Sequence, residues 1–318
     1  TLFFTEMWER FSFYGMRAIL VLYLVSETGN DNPGLGWTNA EAIRLYGWYT
    51  ALVYLACIPG GIIADKYLTN KKAVMIGGFF LCLGHLSLAI KIHFFFYFGL
   101  GLIILGVGLL KPSISSLVGG LYEKNDLRRD QGFTIFYIGI NIGAFFASIL
   151  VGYIGEKFGW HYGFSLAGFG MILGQICFLN GQKKIVDSKR KVMKFNFRSK
   201  LPKIDLDRLK LIVLASGILI IFWASFEQAG GLLNIYAYQK TDRFISYINF
   251  EIPASWFQSI NPLLIILLGF SVSSFWLWFQ KKSKSSSILK LSIGIIIMGC
   301  GFIFMFFASN EAQLYGKS

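Results

Sequence analysis

The chain has 318 residues, of which 55% are hydrophobic and 17% aromatic, while only 15% are charged. Because a soluble domain typically carries about 25% charged residues, this composition excludes an ordinary soluble protein and indicates a membrane protein. The net charge of +13 does not indicate a nucleic-acid partner, since Lys and Arg fall in short segments between apolar runs, as in multi-span membrane proteins.

The first apolar run carries ionisable residues on one helical face. Glu6, Glu9, Arg10 and Arg17 stand at positions i, i+3, i+4 and i+11. At this spacing they share one side of a helix. A charge inside a membrane span costs about 2.5–3.5 kcal/mol on insertion scales, so such residues usually mark a pathway or a binding site. This run therefore favours a transport protein.

Nine apolar runs are long enough to cross a membrane as helices. They are predicted near residues 8–26, 45–65, 73–91, 94–118, 133–155, 160–180, 209–231, 254–279 and 288–308. The predicted fold is all-α: a major-facilitator-type polytopic bundle with about nine of an expected twelve helices.

The nine runs fall into two unequal groups. We predict a six-helix bundle over 1–180, a basic linker over 181–207 and an incomplete three-helix bundle over 208–318. Two groups joined by a long polar connection are typical of transporters built from repeats. The chain begins with Thr1 and stops in a polar segment, so both ends are expected to be cut.

Basic residues fall in alternate connections. Those after the second, fourth and eighth runs contain Lys66, Lys71 and Lys72, then Lys124, Arg128 and Arg129, and finally Lys281, Lys282 and Lys284. The linker 181–207, after the sixth run, is also basic. Because cytoplasmic connections carry the excess of Lys and Arg, we expect a multi-pass protein of the cell membrane whose N-terminus and linker are cytoplasmic.

Lys111 and Glu227 are further ionisable side chains inside apolar runs. Lys111 lies in the fourth run, immediately before Pro112. Because an unpaired lysine there is unfavourable, Glu6 or Glu9 is expected to be its partner in a switchable ion pair; the alternative is a lysine that reaches the cytoplasmic interface. Glu227 is isolated in the seventh run and is expected to carry a proton; the alternative is a glutamate at the outer interface.

Several motifs occur in order along the chain. The first span contains Glu6-x-x-Glu9-Arg10-Phe11-x-x-Tyr14-Gly15, and the second ends in Gly61-x-x-x-Asp65-Lys66. The fifth, seventh and eighth contain Phe136-Tyr137-x-x-Ile140-Asn141-x-Gly143, Phe226-Glu227-Gln228 and Trp256-Phe257-Gln258-Ser259-x-Asn261-Pro262. Together these motifs resemble those of the proton-dependent oligopeptide transporters, within the major facilitator superfamily, and the resemblance runs through the whole chain.

The resemblance implies a symporter of di- and tripeptides, driven by protons and working by alternating access in membrane lipid. It implies that Arg10 binds the peptide carboxylate, a role that suits a planar guanidinium; the alternative is an internal ion pair with Glu6 or Glu9. Lys111 is expected to share the carboxylate and, with Glu6, Glu9 and Glu227, to take part in proton coupling. We expect no cofactor besides the coupling proton, no metal, no nucleic acid and no obligate protein partner.

Other polar side chains complete the predicted substrate site. They are Tyr14, Tyr54, Tyr137, Asn141, Glu227 and Asn261. The hydroxyl and amide groups suit the main-chain amides that all peptides share, and for each residue alone the alternative is helix–helix contact. Asp65 and Lys66 are expected to control conformation at a cytoplasmic turn and not to contact substrate.

The chain departs from the family pattern in three ways. Phe13 stands where the family commonly has a tyrosine, and residues 45–65 contain no histidine, so proton coupling is expected to rest on glutamates. The chain also stops before the tenth span, which in the family carries an acidic residue associated with the substrate amine. The linker is too polar to contain the extra helix pair of many bacterial members.

Two alternatives to peptide symport remain. One is a partial protein with no transport of its own, and the other is a family member that carries amino acids, nitrate or peptide-like drugs. A membrane enzyme is not expected, because the sequence shows no nucleophile–base set and no metal-ligand spacing.

Overall fold

The computed structural model of the protein describes residues 1–123, 126, 128–185, 202–282 and 287–317. Its helices are, in chain order, α1 (Leu2–Val25), α2 (Asn39–Lys66), α3 (Asn70–Leu88), α4 (His93–Gly119), α5 (Arg128–Phe158), α6 (Trp160–Gly181), α7 (Lys203–Phe226), α8 (Leu232–Gln239), α9 (Ile260–Lys282) and α10 (Ser287–Tyr315). The predicted all-α polytopic fold is confirmed.

Most of the helical segments have the length and hydropathy of membrane spans. Within the described ranges there are eight of these: Asn39–Lys66, Asn70–Leu88, His93–Gly119, Arg128–Phe158, Trp160–Lys184, Lys203–Gln239, Ala254–Phe279 and Ile288–Tyr315. Helix α1 carries four charged residues, yet its 24 residues extend about 36 Å, enough to cross a membrane. Nearly all of α1 is buried, so its charges face protein and not lipid.

The first six helices pack closely through small residues. A Cβ added at Gly60 of α2 would collide with the Gly108 carbonyl of α4. A Cβ at Gly77 of α3 would likewise meet the Gly106 carbonyl, also on α4. Small residues at helix interfaces let backbones approach in membranes, where the hydrophobic effect does not drive helices together. Glycines at these contact positions therefore allow the close packing of α4 against α2 and α3.

Local signals fix where the helices begin. Thr38 caps α2: its Oγ1 accepts from the Glu41 amide, and the Glu41 carboxylate accepts from the Thr38 amide, the reciprocal arrangement of a capping box. Gly159, between α5 and α6, has φ of 141°, a conformation that favours glycine. It allows α6 to begin immediately after α5 ends.

The second group of helices is less regular than the sequence predicts. The seventh span, expected over 209–231, is a helix that ends at Phe226, a 3₁₀ turn over Glu227–Gly230, and a separate short helix, α8. A two-stranded antiparallel sheet follows, in which β1 (Phe244–Ile245) pairs with β2 (Phe250–Glu251). A 3₁₀ segment, Ala254–Ser259, then leads directly into α9.

Part of the predicted linker lies outside the described residues, as do Lys124 and Lys284. Of segment 181–207, the structure describes a 3₁₀ turn, Gln182–Lys184, and the start of α7 at Lys203. The division into 1–180, 181–207 and 208–318 stays a prediction. Helix α7 begins at Lys203, five residues before the predicted start of the third segment.

Successive spans run in opposite directions, with α7 and α8 forming one span, and this defines two ends of the molecule. We call the end at which α1 finishes the Val25 end, and the opposite one the Leu2 end. Hydrogen bonds between the first half (residues 1–185) and the second (202–317) cluster at the Val25 end. There the Asn39 and Gln239 amides exchange hydrogen bonds of 3.0 and 3.2 Å, and the Ala18 carbonyl of α1 accepts from Asn234 and Gln258.

Candidate functional site

A buried cluster of three charged residues lies on α1. Arg10 Nε is 2.8 Å from Glu6 Oε1 and 2.6 Å from Glu9 Oε2. The contact with Glu6 has the geometry of a hydrogen bond, whereas Glu9 makes only the ionic contact, because both of its carboxylate oxygens lack a hydrogen-bond partner. All three side chains are at most 4% exposed. The internal ion pair, considered above as the alternative for Arg10, is thus the arrangement in this conformation.

The cluster is not balanced in charge or in hydrogen bonding. Two carboxylates share one guanidinium, so one negative charge is uncompensated within the trio when both are ionised. Arg10 Nη2 and Glu6 Oε2 are buried without hydrogen-bond partners. Because unpaired buried polar groups are costly, the cluster is suited to accept a proton on a carboxylate and an anionic partner on Arg10.

A second ion pair connects the two halves of the molecule. Arg17 Nη2 of α1 lies 2.9 Å from Glu227 Oε2, with the two side chains 6% and 16% exposed. The hydroxyls of Tyr46 and Tyr54 each donate to the Glu227 carboxylate at 3.3 Å. The 3₁₀ turn that follows α7 can lie close to α1 and α2 because it contains Gly230, where a Cβ would collide with the Tyr46 hydroxyl and Arg17.

Arg17 was not among the site residues that the sequence predicted. Its position on the same face as Glu6 and Arg10 was visible, but the predicted motif ended at Gly15. Tyr46, which is 4% exposed, was missed as well, because a tyrosine in an apolar run carries no signal that distinguishes it from a packing residue.

Lys111 is not paired as the sequence predicts. Within the described part of the chain it forms no ion pair within 4.0 Å; its Nζ lies 4.4 Å from the centre of the Tyr54 ring. The predicted bridge to Glu6 or Glu9 is therefore absent from this conformation, in which both carboxylates contact Arg10 instead. A cation over an aromatic ring gains about 0.5–2 kcal/mol, which compensates Lys111 in part for its burial.

A cavity of about 250 Å³ lies between the two halves. Three predicted substrate-binding residues line it, namely Tyr14, Asn141 and Asn261. Arg17 also lines it, and apolar walls come from residues such as Phe226 and Phe302. The Asn141 side chain is buried and donates to the Tyr137 carbonyl at 2.9 Å, which leaves its amide oxygen as an acceptor toward the cavity region.

A second cavity of about 650 Å³ lies between α2 and α7. Tyr46, Tyr54 and Glu227 line it. Since Arg17 lines the first cavity and Glu227 the second, the Arg17–Glu227 pair connects a lining residue of one cavity to a lining residue of the other. A change in the charge of either partner would therefore alter the electrostatic potential in both cavities.

The remaining predicted residues lie apart from these cavities. The Tyr137 side chain is 52% exposed and is not among the lining residues of either cavity. Asp65 and Lys66 are exposed at the end of α2. In the ranges that the structure describes, no group of three His, Cys, Asp or Glu side chains is placed to hold a metal ion.

The architecture and the site together define a class of protein. Apolar helices of spanning length form two halves, and ionisable residues are buried where the halves meet around a cavity. Intramembrane ionisable residues of this kind mark substrate and ion pathways. The molecule is thus a multi-span membrane transporter.

Comparisons with known proteins agree. The sequence profile of the POT family, PTR2, matches residues 71–204 and 189–317. "Uncharacterized transporter YclF" of Bacillus subtilis (strain 168) is 37% identical over 98% of this chain and 74% of its own length. The "Di-/tripeptide transporter" of Lactococcus lactis subsp. cremoris is 34% identical over 96% of this chain and 74% of its own.

A solved structure gives the same result. A POT family transporter in complex with a thioalcohol-conjugated peptide is 30% identical, with a TM-score of 0.80 over 99% of this chain and 76% of that one. The chain therefore belongs to the POT family of membrane transporters, and the resemblance inferred from its motifs is confirmed.

Proposed function

We propose that the protein carries di- and tripeptides across the cell membrane together with protons, by alternating access. The POT relative from Lactococcus lactis is named a di-/tripeptide transporter, and a solved POT relative holds a peptide conjugate. The cavity of this chain combines cationic, hydroxyl and amide groups with apolar walls. Such a surface suits ligands that share a backbone and differ in their side chains.

The buried Glu6–Glu9–Arg10 cluster carries the proposal. Arg10 is held by two carboxylates and still has an unsatisfied N–H group. When a proton neutralises one glutamate, the guanidinium becomes available to the carboxylate of a peptide, to which it can donate two parallel hydrogen bonds. Proton uptake and peptide binding are then favourable together, which is the requirement for symport.

Lys111 and Glu227 extend this scheme. Lys111, free of an ion pair within 4.0 Å in the described chain, is available to a carboxylate of the cluster or of the peptide once Arg10 changes partner. Glu227 is the second proton carrier, and its protonation would release Arg17 across the boundary between the halves. Tyr14, Asn141 and Asn261 would bind the peptide main chain; we assign Tyr54 to Glu227.

The energy available is sufficient for accumulation. One proton that crosses a potential of about 100 mV gains about 2.3 kcal/mol, and one pH unit adds about 1.4 kcal/mol. At about 1.4 kcal/mol per tenfold change, one proton could concentrate a neutral peptide by roughly two to three powers of ten.

The orientation of the protein is part of the proposal. The basic connections after α2 and α4 lie at the Leu2 end, which we assign to the cytoplasm under the positive-inside rule. The Val25 end then faces outward. Because cross-half contacts cluster at that end, this conformation is closed to the outside.

Competition for transport tests the substrate class. The intact protein, reconstituted into proteoliposomes, is expected to take up labelled dialanine, and excess trialanine should block that uptake whereas alanine and nitrate should not. Glu6→Gln is expected to abolish the response to an inward proton gradient. No uptake of dialanine by folded protein, or block by alanine or nitrate with none by trialanine, would contradict specificity for di- and tripeptides.

A further inference from the structure

A buried carboxylate joins the two halves at the Val25 end. Glu156, near the end of α5, accepts hydrogen bonds from three donors at the start of the segment that leads into α9. These are the Ala254 amide at 2.9 Å, the Ser255 amide at 2.8 Å and the Ser255 hydroxyl at 2.5 Å. The Glu156 side chain is 6% exposed, so the bonds form with little competition from water.

The neighbouring turns of α5 are shaped for this contact. A Cβ at Gly152, one turn earlier, would collide with Ser255 Oγ. A turn earlier again, the Ile149 carbonyl accepts from Trp256 Nε1 at 3.0 Å. Three successive turns of α5 thus contact three successive residues of the other half, Ala254, Ser255 and Trp256. Both Ala254 and Ser255 are fully buried.

Glu251, a second carboxylate in this region, is much more exposed than Glu156. Lys157 Nζ lies 3.2 Å from Glu251 Oε2, with side chains 35% and 45% exposed. Arg243 Nη2 is 2.9 Å from the same glutamate, while its Nη1 is 3.8 Å from Glu156 Oε2. Because exposed ion pairs contribute little, the Lys157–Glu251 pair between the halves is expected to add less than the charge-assisted hydrogen bonds of Glu156, beside which Arg243 is also largely buried.

The partners of Glu156 have a mechanical consequence. A buried carboxylate that loses its donors is unfavourable until water reaches it, and the three donors above all belong to the opposite half. The contact is therefore strong while the Val25 end is closed, and water can replace the donors once that end opens.

We infer that Glu156, with the Ala254 amide and the Ser255 amide and hydroxyl, forms a latch that holds the Val25 end closed and releases when the cavity opens there. This inference rests on the proposed function in one respect, that alternating access requires the end to open. The latch is separate from the residues to which we assign peptide and protons. It sets how often the end opens and takes no part in binding.

Accessibility of a cavity residue to an external reagent tests the latch. Ser148 lines the cavity and is 3% exposed. Ser148→Cys is introduced into the intact protein after Cys57, Cys82, Cys177 and Cys300 are replaced by serine. A membrane-impermeant maleimide is added from the side that the Val25 end faces. With Glu156→Gln, the labelling rate should rise roughly ten- to a hundredfold, the range for loss of one or two hydrogen bonds to a charged group.

Two further variants make the test specific. Ser255→Ala removes one donor and keeps Glu156, and a several-fold increase is expected; it also serves if Glu156→Gln fails to fold. Glu251→Gln removes a carboxylate that is 45% exposed at the same end, and its labelling rate should stay within about twofold of the parent.

The outcomes separate the latch from the transport activity. Labelling at the parent rate in both Glu156→Gln and Ser255→Ala would overturn the inference. An equal rise in Glu251→Gln and Glu156→Gln would do so too, because it would show general loosening of this end. Since labelling requires no peptide, absence of peptide uptake would contradict the proposed function and leave the labelling result to decide the latch by itself.

Discussion

Replacement of Glu227 by glutamine should uncouple the protein from the proton gradient. Gln keeps the size of the side chain and one of the two oxygens that accept from the Tyr46 and Tyr54 hydroxyls, but it carries no charge opposite Arg17. At the Arg17 Nη2–Glu227 Oε2 distance of 2.9 Å, the direct attraction is roughly 6 kcal/mol with an effective dielectric of about 20. Desolvation offsets part of this attraction, and removal of one partner from a buried pair costs about 3–5 kcal/mol.

The loss of a titratable group at position 227 has two expected consequences for transport. The variant cannot exchange a proton at position 227, so labelled dialanine should equilibrate across the vesicle membrane and not accumulate by roughly two to three powers of ten. Counterflow, in which labelled peptide exchanges for unlabelled peptide without net proton movement, should persist. The unpaired Arg17 should also lower the thermal stability of the protein in detergent.

The assay compares both transport modes in one preparation. Proteoliposomes that contain the parent, Glu227→Gln or Glu251→Gln are measured for gradient-driven uptake and for counterflow. Glu251 is a suitable control because it lies at the same end but is 45% exposed, and its variant should behave as the parent does. Accumulation by Glu227→Gln at the parent level would refute the role of Glu227 as a proton carrier.

Three further substitutions give distinct expectations. Arg10→Lys should raise the dialanine concentration needed for half-maximal uptake at least tenfold, because an ammonium lacks the fork that binds a carboxylate with two hydrogen bonds; an unchanged value would contradict the carboxylate role. Lys111→Gln should reduce gradient-driven uptake at least tenfold. It should change the unfolding free energy by no more than about 2 kcal/mol, the upper range for the cation–π contact with Tyr54 that it loses. Normal uptake by this variant would show that Lys111 takes no part in the mechanism. Gly108→Ala should lower the unfolding free energy by about 1–3 kcal/mol, because its Cβ would crowd the Ala56 carbonyl. Gly101→Ala, on the same helix, places its Cβ in open space and should change the unfolding free energy by no more than about 0.5 kcal/mol. Equal shifts in the thermal unfolding midpoints of the two variants would contradict the packing described for α4.

The helices were predictable because long apolar runs between polar connections leave few alternatives. The sequence did not predict the break after Phe226, since Gly230 and Gly231 near the end of a span are compatible with a continuous helix. The short α8 and the β1–β2 pair were also missed. Helix α8 contacts the first half through pairs such as Asn39–Gln239, which no local pattern encodes, and the two strands are only two residues long each.

The site was predictable in its residues more than in its pairings. The spacing on α1 identified Glu6, Glu9 and Arg10 as neighbours, and the structure brings them into contact. Lys111 was assigned the wrong partner for this conformation because periodicity shows which residues share a face and not which of two cations reaches a carboxylate first. The Arg17–Glu227 pair joins residues 210 positions apart, and only tertiary structure could reveal it.

The most direct test of proton-coupled peptide transport is uptake of labelled dialanine by the intact protein in proteoliposomes, first with an inward proton gradient and then after a protonophore collapses it. We expect accumulation above the external concentration while the gradient lasts and release to equilibrium when it collapses. Uptake by folded protein that is the same with and without the gradient, or no uptake at all, would contradict the proposed function.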